Sequence, residues 1–284
     1  MSNTLELSSP AKINLWLRVL GRREDGFHEV QTRLCKVAVH DTVTLELLDG
    51  TPGSVVLTCN QEGIPLDESN LAIKALRAFE ERAGMHRTWK IHLEKRIPHG
   101  AGLGGGSSNA AAVLKGCNQL LNSPLSLETL LEIASRIGSD VPCFLLETPA
   151  ADGSGRGEQV VPVNFPWSLP LVLIKPAFPI PTPWAYKNWL TSKELPGVLY
   201  AKQITSWGEM VNDLERPVFE KYRLLPALKT WLLGHASVRV ALMSGSGSTV
   251  FAITRTDAEA AELADQARCW CGDTAWVQAT RTLS

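Results

Sequence analysis

Between residues 11 and 20 the chain reads AKINLWLRVL, with Ile13, Leu15, Leu17 and Val19 alternating against Lys12, Asn14, Trp16 and Arg18. A period of two predicts a strand with one buried face. VTLELL (43–48) and SVVLTC (54–59) predict two further strands, paired antiparallel through the turn DGTPGS. The pattern then changes to a helical period in SNLAIKALRAFEERAG, capped by Ser69 or Asn70 and stopped by Gly84. WKIHLEK (89–95) returns to alternation as a strand. Beyond it Ala110, Val113, Leu114, Cys117, Leu120 and Leu121 recur at helical spacing, and SLETLLEIASRIG makes another amphipathic helix between Ser126 and Gly138.

The second half opens with a proline-rich passage enclosing an apolar strand, Leu171 to Ile174. Helices are predicted around 206–221 and 225–235, a strand pair in VRVALMSGSGSTVFAIT, a helix in DAEAAELADQARC and a last strand over 274–280. The fold class is therefore α+β in two parts. We place the domains at 1–163 and 164–284, with the last strand a candidate to return to the first domain.

Composition narrows the function. A chain of 284 residues with 44% apolar and 20% charged residues has the balance of a folded, soluble protein. The net charge of -1 gives no electrostatic footprint for nucleic acid or an anionic membrane, and no apolar run approaches the ~20 residues of a spanning helix. MSNTLELSSPAK lacks the basic and apolar regions of a secretion signal, so a cytoplasmic location is expected. Cys35, Cys59, Cys117, Cys143, Cys269 and Cys271 are scattered without metal-ligand spacing and read as reduced thiols.

The chemistry gathers in RIPHGAGLGGGSSNAAAVL (96–114), where five of the seven positions from Gly100 to Gly106 are glycine. A glycine-rich loop between a strand and a helix lets backbone N–H groups approach an anion, and the helix start adds unsatisfied donors. No Gly-Lys follows, so this is not a Walker loop. Gly100, Gly102 and Gly105 formally fit the G-x-G-x-x-G of dinucleotide enzymes, but the acidic partner about 20 residues on would fall inside a helix. The signatures of protein kinases are absent.

PHGAGLGGGSSNAA resembles the central motif of the GHMP kinases, a superfamily of small-molecule kinases, and two further segments support the likeness: SPAKINLWLRVLGRREDGFHEVQT near the N-terminus and ALMSGSGSTVFAI near the C-terminus. With SDVP and IPTP they are similar to the branch that phosphorylates an alcohol carrying a cytidine diphosphate group for isoprenoid precursors, over almost the whole chain. The resemblance implies a two-domain fold with mixed sheets, an active-site cleft between the domains, and ATP with Mg²⁺ as cofactors. It implies that Asp140 accepts or orients the hydroxyl proton, that Lys12 holds Asp140 ionised, and that Asn14 contacts the substrate. Phe27 and His28 would meet the cytosine, with Thr182 and Pro183 closing over it; Phe27 stands where the family usually has tyrosine.

For ATP, the phosphate loop maps onto Pro98, His99, Gly100, Ala101, Gly102, Leu103, Gly104, Gly105, Gly106, Ser107 and Ser108, with Asn70 and Lys95 near the nucleotide. Gly245, Ser246 and Gly247 would approach the same site, and Ser108 is the candidate metal ligand. Three readings stay beside this one: another kinase of the superfamily, of homoserine or phosphomevalonate type; a dinucleotide-binding oxidoreductase; and a non-catalytic module of ribosomal type. Oligomeric state is left open.

Overall fold

The computed structural model describes residues 3–284. The chain runs β1 (Thr4–Arg22), β2 (His28–Leu48), β3 (Val55–Cys59), α1 (Leu71–Ala83), β4 (Thr88–Glu94), α2 (Gly105–Leu120), α3 (Leu127–Ile137), α4 (Val141–Leu145), β5 (Ala150–Ser154) and β6 (Gln159–Val163). It continues through β7 (Pro170–Lys175), α5 (Thr182–Asn188), β8 (Gln203–Thr205), β9 (Gly208–Asn212), α6 (Glu215–Lys221), α7 (Leu224–Leu233), β10 (Val240–Met243), β11 (Val250–Ile253), α8 (Asp257–Cys271) and β12 (Trp276–Arg281). The larger sheet has eight strands in the order β3-β4-β2-β1-β9-β8, with β5 on a further stretch of β2 and β6 on β5. The smaller is antiparallel, β10-β11-β7-β12.

Helices α1, α2 and α3 cover the larger sheet over a core that includes Leu45, Leu76, Phe79, Trp89, Ile91 and Leu114. The smaller sheet packs on α6, α7 and α8 through Val218, Phe219, Leu228, Leu263 and Ala264. Between the two sheets a third cluster joins Ile13 and Leu15 to Leu171, Leu173, Leu242 and Phe251. The halves of the chain are thus held together by apolar burial, at roughly 25 cal/mol per Å² removed from water. Among the described residues no helix is long and apolar enough to cross a membrane. Among the described residues the six cysteine thiols are free.

Several predicted elements take a different form. The strand at 11–20 is the middle of a 19-residue strand, and its partner β2 starts at His28, well before the predicted 43–48. Irregularities in their pairing at Pro10/Ala11, Asn14/Trp16 and Val19/Gly21 shift the alternation and disguise both lengths. Strands 43–48 and 54–59 are not neighbours: β4 lies between them, antiparallel to β2 and parallel to β3. A parallel pair needs a long crossover, which α1 supplies. The predicted helix over 206–221 begins instead as the β8–β9 ribbon, turning at Ser206–Trp207 into Gly208, which has φ +125°. Its β9 adds to the larger sheet beside β1, with Trp16 opposite Val211. The last strand stays in the smaller sheet beside β7, although Thr282 bridges to Val37 of β2.

Candidate active site

The glycine loop ends at Gly104, which caps α2 at φ +70° with no side-chain cap. The first intrahelical bond runs from Ser108 N to Gly104 O, 2.8 Å. The N–H groups of Gly105, Gly106 and Ser107 are therefore beyond the helix's own ladder, and the helix dipole adds positive potential there. This is the local geometry of a phosphate seat. A Cβ at Gly104 would come 3.0 Å from Phe144 Cζ and 3.1 Å from Lys12 Cγ, so the loop lies directly on the strand that carries Lys12.

Lys12 and Asn14 point the same way from β1. The Lys12 amine is buried, donates to Asn14 Oδ1 at 2.7 Å and lies 3.3 Å from Asp140 Oδ2. Asn14 in turn donates to Thr32 Oγ1 at 2.8 Å, which donates to Trp16 O at 2.7 Å. The bonds leave Lys12 and Asn14 one orientation. Asp140 sits in the turn between α3 and α4 with its side chain one-third exposed (33%), against 4% for Lys12. The carboxylate is thus steadied from inside and open outward. Ser107 is beside the same turn, its Oγ 3.9 Å from where a Gly138 Cβ would stand.

Gly245, Ser246 and Gly247 complete the centre from the other sheet. A Cβ on Gly245 would lie 3.2 Å from Asn14 Oδ1 and 3.4 Å from Lys12 Nζ. Ser244 Oγ donates to Gly102 O at 3.0 Å, and Thr249 N to Ala101 O at 3.2 Å. Ser246 Oγ bonds Thr182 Oγ1 at 2.7 Å, which brings the start of α5 to the same loop; Thr182 and Pro183 are exposed.

Phe27 is 54% exposed, with the Arg156 guanidinium 4.9 Å above its ring. His28 lies 5.4 Å from the Tyr186 ring and 6.4 Å from Trp189. Burial, with the Arg22 charge second, lowers the His28 pKa. Burial raises the Tyr186 pKa, and the charge of Asp140 adds to it.

Other sequence candidates have structural partners. Asn70 caps α1, accepting from Ala72 N at 2.9 Å, and its Nδ2 donates to Pro65 O. Leu71 beside it is 3.6 Å from the Gly106 Cβ position, so the start of α1 abuts the start of α2. The Lys95 amine is buried on Asp41 and bonds Asn109 Oδ1 at 2.8 Å. Pro98 is half-buried and His99 exposed at the mouth of the loop. Ser108 Oγ is buried, accepts from Ser9 Oγ at 2.8 Å, and faces no carboxylate cluster: among the described residues no three His, Cys, Asp or Glu side chains converge to hold a metal ion.

Three residues that matter to this geometry carry no motif. Asp41, fully buried, accepts from Arg96 N and Ile97 N at 2.7 and 2.8 Å and so anchors the strand end that feeds the loop. Tyr186 follows IPTP by three residues, close enough to have been included. Asn212 donates to the carbonyls of Met243 and Gly245, both at 2.7 Å, and accepts from Leu214 N. Asn212→Leu leaves two buried carbonyls unpaired and should cost about 2–4 kcal/mol. Urea unfolding checks this; an unchanged midpoint would show the loop keeps its shape without Asn212.

Comparison with known proteins identifies the family. The family description "GHMP kinases N terminal domain" matches residues 70–148, and "GHMP kinases C terminal" matches 198–273. The 4-diphosphocytidyl-2-C-methyl-D-erythritol kinase of Methylacidiphilum infernorum (isolate V4) is 42% identical over 282 residues, 98% of this chain and 96% of that protein. The chloroplastic enzyme of Arabidopsis thaliana is 40% identical over 264 residues, 89% of this chain and 68% of its own. A crystal structure of 4-(cytidine 5'-diphospho)-2C-methyl-D-erythritol kinase superposes with a TM-score of 0.79 at 33% identity, covering 99% of this chain and all (100%) of the other.

Proposed function

Because the chain belongs to the GHMP kinases, and among them to the 4-diphosphocytidyl-2-C-methyl-D-erythritol kinases of the non-mevalonate isoprenoid pathway, we propose that Lys12 and Asp140 are its catalytic pair. Membership implies ATP as phosphoryl donor, and neither the oxidoreductase nor the ribosomal-module reading survives it. The acceptor we assign is the 2-hydroxyl of 4-diphosphocytidyl-2-C-methyl-D-erythritol. The observation that carries the assignment is the Lys12 amine, 3.3 Å from Asp140 and beneath both glycine loops.

In this reading the free N–H groups at the start of α2 and the backbone of 245–247 hold the ATP phosphates. Asp140 orients the substrate hydroxyl and takes its proton as the oxygen bonds to the γ-phosphorus. The bond to the β–γ bridging oxygen breaks and ADP leaves. Such reactions need position and charge neutralisation above all. Lys12 steadies the Asp140 carboxylate through their ion pair and offsets the negative charge of the moving phosphoryl group. Mg²⁺ would neutralise the phosphates; with no convergent carboxylates among the described residues, the donor set suits a cation held chiefly by ATP and water, with Ser108 kept as the hydroxyl candidate on the loop. Asn70 and Lys95 would then border the nucleotide by shaping the loop's surroundings. We keep the domain division near residue 163 and a cytoplasmic location as part of the proposal; the Arabidopsis relative is described as chloroplastic.

The cytidine end of the substrate is assigned to Phe27, His28 and Tyr186, with Thr182 and Pro183 above them and Asn14 toward the reacting hydroxyl. A neutral His28 can both donate to and accept from a nucleobase edge. ADP release should depend on the cytidyl substrate, and homoserine or phosphomevalonate should not replace it. Phe27→Ala should raise KM for that substrate about 5- to 100-fold, the worth of one base–aromatic stack, and leave KM for ATP unchanged. Equal KM for the cytidyl substrate in wild type and variant would remove Phe27 from the base site.

A further inference from the structure

The segment FPIPT (178–182), which leads from β7 into α5, lies against both glycine loops. A Cβ on Gly100 would stand 3.0 Å from Pro179 Cβ, and one on Gly247 would stand 3.0 Å from Ile180 Cδ1. Ser248 Oγ donates to Phe178 O at 2.7 Å, and Ser246 Oγ shares a hydrogen bond of 2.7 Å with Thr182 Oγ1. The flanks of this strap meet on one ring. Phe178 stacks on Tyr222 with centroids 5.3 Å apart, and Trp184 meets the same ring edge-on at 5.7 Å.

A serine hydroxyl has one proton to give. Ser248, fully buried, spends it on Phe178 O and keeps no donor for an ionised phosphate oxygen, which can only accept. Ser246 is also buried, and its hydroxyl is engaged with Thr182. Thr182 opens α5, and Tyr186 follows one helical turn later, its ring 5.4 Å from His28. Two side-chain hydrogen bonds thus tie the second glycine loop to the element that carries Thr182 and Tyr186.

We propose that Ser246 and Ser248 are positioning residues for the cytidyl substrate rather than side-chain ligands of ATP. The loop gives its backbone to the nucleotide, and its two serine side chains hold the strap that sets Thr182 and Tyr186 in place, a division that rests on the ATP and cytidyl sites assigned above.

Steady-state ADP release from the whole protein, with ATP and the cytidyl substrate varied in turn, separates the two roles. Alanine at either serine keeps the loop backbone. Ser246→Ala and Ser248→Ala should each raise KM for the cytidyl substrate about 3- to 10-fold, the worth of one hydrogen bond, with KM for ATP within about twofold of wild type. Thr182→Val keeps the side-chain shape and removes the bond to Ser246. Because Ser246 acts through Thr182, adding Ser246→Ala to Thr182→Val should raise that KM less than about twofold further. Melting temperatures show whether each variant is folded; if one serine variant is not, the other decides. Phe27→Ala, measured beside them, tests the cytidyl site itself. An unchanged KM in Phe27→Ala with a raised KM in the serine variants removes Phe27 from the site and leaves the strap its role. A raised KM in Phe27→Ala with an unchanged KM in the serine variants overturns the proposal alone. A rise in KM for ATP in the folded serine variants, or fully multiplicative effects of Ser246→Ala and Thr182→Val, also overturns it.

Discussion

Asp140→Asn is expected to lower kcat by about 10²–10⁴, the usual worth of a positioned proton acceptor, with KM for ATP little changed. Asparagine fills the same space and can still accept from the Lys12 amine, so the loss reports the missing charge and basicity rather than a disturbed turn. Because Lys12 and Asp140 are 3.3 Å apart and act on one proton and one phosphoryl group, their effects should not add. Lys12→Met in the Asp140→Asn background should therefore cost much less than it costs in wild type. Steady-state ADP release with the cytidyl substrate measures all four proteins. A kcat within fivefold of wild type in Asp140→Asn would remove this residue from proton transfer.

Gly102→Ala is expected to damage fold and activity together. At φ +75° an alanine is strained by about 1–2 kcal/mol. Its Cβ would also stand 2.3 Å from Ser244 O and 2.9 Å from Gly247 O, both backbone atoms. Neither can rotate aside; the two glycine loops must separate. Overpacking of this kind adds about 1–3 kcal/mol, for a total of about 2–5 kcal/mol. The melting temperature should drop by about 3–8 °C, and the surviving folded protein should show a raised KM for ATP. Wild-type melting and kinetics would mean that the loops do not approach as closely as these distances state.

The parts of this molecule that were readable in advance are those whose cause is local. Asn70 and Ser126 cap helices because their own side chains reach N–H groups two and three residues on. The glycine loop precedes a helix because positive φ is written into its composition. Lys12 and Asn14 share a face by simple alternation. What could not be read depends on distant chain. The extent of β1 and β2 is hidden by register shifts. The β8–β9 ribbon looked helical because its pairing partner, Trp16, is almost two hundred residues earlier. Asp41 and Asn212 gain their place from backbone groups 55 and 31 residues away. A buried acid among the apolar residues of VAVHDTVTLELL was the one visible hint of the former.

The pairing of β9 with β1 has a consequence during synthesis. The outer edge of β1 at Trp16 and Leu17 is filled by Val211, Asn212 and Asp213. A ribosome adding about 5–20 residues per second takes roughly 10–40 s to make the intervening chain. Throughout that interval the nascent chain carries an open strand edge at Trp16 and Leu17, the kind of template that recruits the wrong neighbour. Slowing translation between these positions should lengthen that exposure and lower the soluble yield, without altering a single contact of the finished protein.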